Sequence, residues 1–233
     1  MPELLKMDEA GRNERLHRFS HDLKNRLGAL WQAANLLHEL PPGPEHKELV
    51  EMAEKNYFAG ARQVEQLLDG FGVPRGVETA HREIVAVRQV LERSVKSMAF
   101  RSTPKKQHYV LSVGADVRVL ADPRLFANIA EALLSNASKF SPEGAQINIF
   151  AEEADGLLQL TVADPGVGLS GKDLEEIFTR YAMLSSQSTG GESQARSTLS
   201  RAKQWAEAQG GTLSASSQGI GKGSSFTVAL LVA

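Results

Sequence analysis

The sequence predicts an α+β protein: a helical hairpin over residues 1–74, then an α/β sandwich over residues 75–233, with one mixed sheet and helices on one face. Three observations carry this. Apolar residues at Leu16, Phe19, Leu23, Leu27, Leu30, Ala34 and Leu37 recur at alternating spacings of three and four, the seam of a helical bundle. Pro41-Pro42-Gly43-Pro44 then breaks the chain, because proline cannot continue the helical hydrogen-bond ladder. Beyond residue 75, short β-type runs and helical runs are intermixed, with several strand runs adjacent.

The first helix is expected from about Asp8 to Leu40, and the second from Glu45 to Phe71, stopped by Gly70, Gly72 and Pro74. The second presents Leu49, Met52, Ala53, Ala59, Gly60, Val64, Leu67 and Leu68 as its apolar or small positions. Two helices with one apolar face each cannot close a core, so two hairpins are expected to pair as a dimeric four-helix bundle. The alternative is that the hairpin packs on the second domain.

In the second domain a helix is expected over Glu83–Ala99, then strands over Tyr109–Val113 and Val117–Leu120. Asp122-Pro123 opens the next helix as an N-cap followed by proline at the first position. That helix carries Leu125, Ile129, Leu133 and Leu134 inward and ends near Asn136-Ala137-Ser138-Lys139-Phe140-Ser141-Pro142. Ile147–Ala151 and Leu157–Val162 alternate as strands joined through Asp155-Gly156. Ser185–Ser197 is long, polar and rich in Ser, Gln and Gly, which fits a lid better than a tight turn. A helix from Arg196 to Gln209 and strands over Thr212–Ser216 and Ser225–Val232 close the chain.

Composition narrows the function. Basic and acidic residues nearly balance, 26 against 28, so nucleic acid is not an expected partner. There is no cysteine, which excludes disulfides and thiolate chemistry. No apolar run approaches ~18 residues, and Met1–Arg15 lacks a signal-peptide core, so no membrane segment is expected and the cytoplasm is the simplest compartment.

Two constellations carry chemistry. At ~100° per residue, His21 lies about 160–200° from Phe19 and Leu23 and points to solvent. Asp22 is its neighbour, and Asn25 follows by four on the same face. An exposed imidazole accepts a phosphoryl group when a nearby carboxylate handles its proton; otherwise His21 is an ordinary polar residue on a solvated face. The second constellation is Asn136, Lys139 and Asp164-x-Gly166-x-Gly168. An amide oxygen suits Mg²⁺, a lysine on the same helix face meets phosphate, and an aspartate at a strand end accepts from an exocyclic amine such as adenine N6. The glycines let backbone approach a flat ring.

In this order the motifs resemble those of the sensor histidine kinases of two-component systems, over nearly the whole chain. Phe19-Ser20-His21-Asp22-Leu23-Lys24-Asn25 is similar to the phospho-acceptor box, and Leu133-Leu134-Ser135-Asn136-Ala137-Ser138-Lys139-Phe140 to the Asn box. Asp164-Pro165-Gly166-Val167-Gly168-Leu169 resembles the first glycine box, Glu176-Ile177-Phe178-Thr179-Arg180-Tyr181 the Phe box, and Gly221-Lys222-Gly223-Ser224-Ser225-Phe226 the closing hairpin. The resemblance implies a dimerisation and phosphotransfer bundle followed by a gyrase-type ATPase sandwich. His21 would take the γ-phosphoryl group of ATP, with Asp22 as base or orienting group. Asn136 would hold Mg²⁺, Lys139 would meet phosphate and Asp164 would read adenine. The phosphoryl group would pass to a response regulator, and Asn25 would position water in the reverse dephosphorylation. The family's sensor domain is not in this chain, so its input is expected from a longer protein of which this is a piece, or by protein contact.

Two departures stand out. Where the family usually has a second Asn or an acidic residue, four positions before Asn136, this chain has Ala132, with Glu131 one residue off register. Where the second glycine box would read Thr-Gly-Leu-Gly-Leu-Ser, it reads Ala195-Arg196-Ser197-Thr198-Leu199-Ser200. Either Arg196 reaches phosphate in place of the glycines or nucleotide binding is weak or lost. The expectation is therefore an ATP-dependent protein-histidine kinase. The alternatives are a phosphotransfer or scaffold protein with a vestigial nucleotide site, and a bare dimerisation module.

Overall fold

The computed structural model describes residues 7, 9–39, 41, 43–71, 79–179, 189 and 198–233. They divide into two compact units, the first ending before residue 78.

The first unit is an antiparallel pair of long helices, α1 (Glu9–Glu39) and α2 (Pro44–Gly70). Pro44 opens α2, where its missing N–H costs nothing. The helices approach closely at Gly60, where a Cβ would stand 3.4 Å from Leu23 Cδ1. Arg26 Nε donates to Gln63 Oε1 at 3.0 Å across the pair. The expected seam of α1 splits in two. Phe19, Leu23, Leu30 and Leu37 are half-buried, but Leu16, Leu27 and Ala34 are exposed, and the buried small residue is Ala33. On α2, Phe58 is buried while Met52 and Leu68 are exposed. One neighbouring helix covers only part of a stripe this wide. The remainder, with Leu27 at 55% and Trp31 at 69% exposure, has no cover among the described residues of this single chain.

The second unit is built on a five-stranded sheet in the order β2 (His108–Ser112), β4 (Gln146–Ala154), β5 (Leu157–Asp164), β7 (Ser224–Leu231), β6 (Thr212–Ser216). Only β2 runs parallel to its neighbour; the remaining pairs are antiparallel, so the sheet is mixed as expected. Helices α3 (Val87–Ser97), α5 (Pro123–Phe140) and α7 (Thr198–Ala208) contribute Val90, Leu91, Phe126, Ile129, Leu133, Ala202 and Ala206 to one core. Ile147, Ile149, Leu160, Val162, Phe226 and Val228 meet them from the sheet. The alternate positions Asn148, Gln159, Ser214 and Ser216 are exposed, as the two-residue period requires. The helices thus lie on one face, as the sequence predicts.

The structure departs from the sequence reading in three ways. The helix expected from Glu83 begins at Val87; Glu83–Ala86 is instead a strand, β1, paired antiparallel with β3 (Arg118–Ala121). β-Branched Ile84 and Val85 suit the extended state, and pairing overrides the helical pattern. β3 therefore lies in a two-stranded sheet with β1, apart from the five-stranded sheet that holds β2. Short helices α4 (Ala99–Ser102) and α6 (Gly171–Glu176) add to the expected set. The latter starts with a capping box, Ser170 and Asp173, legible as Ser-x-x-Asp. No described helix is long and apolar enough to cross a membrane.

Candidate functional site

His21 sits mid-way along α1 with its side chain 66% exposed. Two neighbours converge on the same ring nitrogen. Asp22 Oδ1 lies 3.5 Å from Nδ1, and Asn25 Nδ2 lies 3.3 Å from it. The helix itself sets this geometry, since residues one and four ahead flank an outward side chain. Nε2 is not part of either contact.

In the second unit, Asn136, Phe140, Val167, Gly168, Leu169, Ile177 and Ser224 line an open pocket. It is mostly apolar with a few polar groups, the usual character of a small-molecule site. Asn136 comes from the last turns of α5, whose direction is fixed by its N-cap. Asp122 accepts from the backbone N–H groups of Arg124 and Leu125, both at 3.0 Å, with Pro123 at the first position. The same carboxylate accepts from His81 N–H at 2.9 Å. Burial alone would raise the Asp122 carboxyl, but those backbone donors and the Arg124 charge outweigh it and hold it below its ordinary value.

Asp164, at the end of β5, is buried beside the pocket. Its Oδ2 accepts the Ser224 hydroxyl at 2.6 Å, and its Oδ1 accepts Gly166 N–H at 2.9 Å. Burial pushes this carboxyl above its ordinary value; the Ser224 and Gly166 hydrogen bonds oppose the shift without cancelling it. The loop that follows is pinned from two sides. Val167 N–H donates to Phe140 O at 3.1 Å, while Gly221 and Gly223 N–H donate to Val167 O and Gly166 O at 2.7 and 3.1 Å.

The two glycines also have a role within the fold itself. A Cβ on Gly166 would stand 2.8 Å from the Phe140 carbonyl carbon. Gly168 has φ near +70°, and its missing Cβ faces the Gly219 carbonyl. Both glycines are required by backbone-to-backbone packing, although Gly168 also lines the pocket.

The structure thus brings Asn136 and Gly168 together at one pocket, with Asp164 reaching it through Ser224. Lys139 is not among the pocket-lining residues; its carbonyl accepts from Lys105 Nζ at 3.3 Å and from Thr189 N–H at 3.0 Å. Arg196, Arg180 and Tyr181 lie outside the described residues. Ala132 is buried in the core, and Glu131 turns instead to accept from Ser97 Oγ at 3.1 Å, so neither supplies the missing amide.

Sequence reasoning passed over Ser224 as a site residue, though its Gly-x-Gly-Ser setting marked the hairpin. It also passed over Gln107, for which no local signal existed. This buried side chain donates to the carbonyls of Ser138, Ser141 and Pro142, each at 3.0 Å, and accepts Ser138 Oγ at 2.7 Å. It thereby fixes the end of α5 that carries Asn136.

The donor set also bears on a metal. No cluster of three or more His, Asp or Glu suited to a cation exists among the described residues. Mg²⁺ is commonly held by one or two protein oxygens plus substrate phosphates and waters. A lone Asn136 amide at the pocket edge fits an ion that arrives with phosphates.

Comparison with known proteins agrees with this geometry. Residues 121–233 match the family described as histidine kinase-, DNA gyrase B- and HSP90-like ATPase. The histidine protein kinase DivJ of Caulobacter vibrioides is 31% identical over 96% of this chain and 38% of its own length. The circadian input-output histidine kinase CikA of Thermosynechococcus vestitus is 27% identical over 94% of this chain and 31% of its own. This chain thus spans well under half the length of those relatives. Among solved structures, full-length ShkA in complex with AMPPNP has a TM-score of 0.59 at 20% identity, covering 95% of this chain and 46% of that one. The mycobacterial sensor histidine kinase MprB has a TM-score of 0.58 at 21% identity, covering 64% of this chain and 98% of its own. The family match thus covers the sheet-containing part of the chain from residue 121, and the alignment to DivJ extends it through the preceding helical hairpin.

Proposed function

We propose that this chain is the catalytic core of a two-component protein-histidine kinase, which phosphorylates His21 from ATP and passes the phosphoryl group to an aspartate of a response regulator. The observation that carries the reading is the buried Asp164 carboxylate, set by Ser224 and Gly166 beside a mostly apolar pocket. A negative acceptor there selects a flat ring bearing an exocyclic amine. Asn136 supplies the oxygen for Mg²⁺, and Lys139 and Arg196 are proposed to meet the phosphates. The ion would neutralise charge on the transferring group, and positioning supplies the rest of the catalysis. Asp22 orients the His21 ring and takes up its proton, and Asn25 positions water when the regulator is dephosphorylated.

The exposed Leu16, Leu27 and Trp31 stripe on α1 supports a homodimer through the hairpin, closing a four-helix bundle. The receiver domain of a response regulator is the second partner. ATP consumption places the reaction in the cytoplasm.

The test is titration calorimetry with Mg²⁺ and ATP, alongside incorporation of acid-labile ³²P. Micromolar binding, with label that disappears in His21→Gln, is expected. Absence of binding at millimolar ATP would replace this reading with phosphotransfer from a phosphorylated receiver domain to His21.

A further inference from the structure

We propose that Lys105 is a positioning residue for the phosphate side of the nucleotide site. Its ammonium closes the carboxyl end of α5, ties Thr189 to that end and offsets the negative field that the helix turns on the pocket. The inference rests on the proposed reading, in which the pocket takes ATP and Lys139 meets its phosphates.

The difficulty that Lys105 answers lies in the direction of α5. The last four carbonyls of an α-helix have no partner within it, and that end carries roughly −0.5 of an elementary charge. Asn136 and Phe140, from the last two turns of α5, line the pocket. A triphosphate entering there meets a helix end of its own sign. The outer two of the four carbonyls are met by neutral backbone donors. Ala137 O accepts the Ser141 N–H and Phe140 O accepts the Val167 N–H, both at 3.1 Å. The two between them receive a cation: Lys105 Nζ donates to Ser138 O at 3.1 Å and to Lys139 O at 3.3 Å. Cations at a helix C-terminus are favourable for this reason.

The same ammonium donates to Thr189 Oγ1 at 2.9 Å, so three acceptors match its three protons. Thr189 is itself bound to the helix end. Its N–H donates to Lys139 O at 3.0 Å, and its hydroxyl lies 3.0 and 2.7 Å from the Lys139 and Ser141 carbonyl oxygens, with one proton to give. Lys105 comes from the turn after α4, where its own carbonyl accepts the Gly144 N–H at 2.8 Å. The cation therefore reaches α5 from a fixed base. It holds the backbone of Lys139 at the place from which that side chain is proposed to meet phosphate.

The experiment titrates the chain with ATP and Mg²⁺ by calorimetry, and with adenosine by NMR chemical-shift changes. Adenosine carries the ring and no phosphate. Lys105→Met is expected to weaken ATP by about three- to tenfold and adenosine by less than about twofold. Lys105→Arg, which keeps the charge and the donors, should recover most of the ATP affinity. Thr189→Val, which removes the tie and leaves the cation, should give a smaller loss that is again confined to ATP. Adenosine binding also reports that the pocket of each variant is folded. Unchanged ATP affinity in Lys105→Met overturns the proposal. Equal losses for ATP and adenosine overturn it as well, since a support for the fold alone would weaken both. So does a Lys105→Arg variant as weak as Lys105→Met. A wild-type chain that binds neither ligand ends the kinase reading and this proposal with it, whereas a wild type that binds both, with variants that match it, ends this proposal alone.

Discussion

Asp164 is where a single side chain bears the most. Replacing it with Asn removes a charged acceptor, and such hydrogen bonds are worth about 1.5–3 kcal/mol. Calorimetry on Asp164→Asn should show ATP affinity reduced by about 10–100-fold, with the circular dichroism unchanged. The raised carboxyl also sets a pH dependence. Burial disfavours the charged form, so Asp164 takes up a proton above the usual carboxylate range as pH falls. The neutral acid is the poorer acceptor, and ATP affinity should decline through that acid range in the wild type while Asp164→Asn stays flat. Asp164 was legible in the sequence because a carboxylate at a strand end before Gly-x-Gly is a local pattern. Its partner Ser224 is sixty residues away and becomes visible only once β5 and β7 are paired.

At the level of elements, α5 carries the pocket edge, and its two ends are held by different means. Asp122 caps the start, and its carboxyl is held low by backbone donors. A depressed carboxylate contributes stability that is present above its unfolded-state pKa and lost as pH falls through the folded one. Asp122→Ala should therefore lower stability by about 1–2 kcal/mol at neutral pH, and the gap from wild type should shrink in acid; thermal melts at several pH values would show it. The other end is joined to the first glycine loop. Gly166→Ala forces a Cβ onto the Phe140 carbonyl, so it should weaken ATP binding even though no atom of Gly166 is required to touch the nucleotide. The start of α5 was readable from Asp-Pro. The strand at Glu83–Ala86 was not, because its partner Arg118–Ala121 lies beyond two intervening helices and a strand. Apolar spacing there fits a helix equally well.

For the molecule as a whole, the hairpin's uncovered stripe sets the prediction. If the stripe packs on a second copy, Trp31→Glu together with Leu27→Glu should convert a dimer to a monomer in sedimentation velocity. A wild-type chain that is monomeric at tens of micromolar would remove the basis for the bundle. The sequence revealed the breadth of the apolar series on α1 but not which part of it α2 covers. Leu27 and Leu30 look alike in the pattern, and only the position of α2 separates them. The mixed sheet was legible from alternation in Ile147–Ala151 and Leu157–Val162, while the parallel pairing of β2 with β4 depends on contacts that no local signal encodes.

The pinned loop after β5 has a further consequence, for amide exchange with solvent. Gly166, Val167, Leu169 and Ser170 each spend their N–H on protein: the Asp164 carboxylate, the Phe140 carbonyl, the Ser217 hydroxyl and the Asp173 carboxylate. These four amides should exchange slowly in deuterated water before any nucleotide is added, and change little afterwards. This stretch then has few donors to spare for an anion. The charge of a triphosphate must be met elsewhere on the chain.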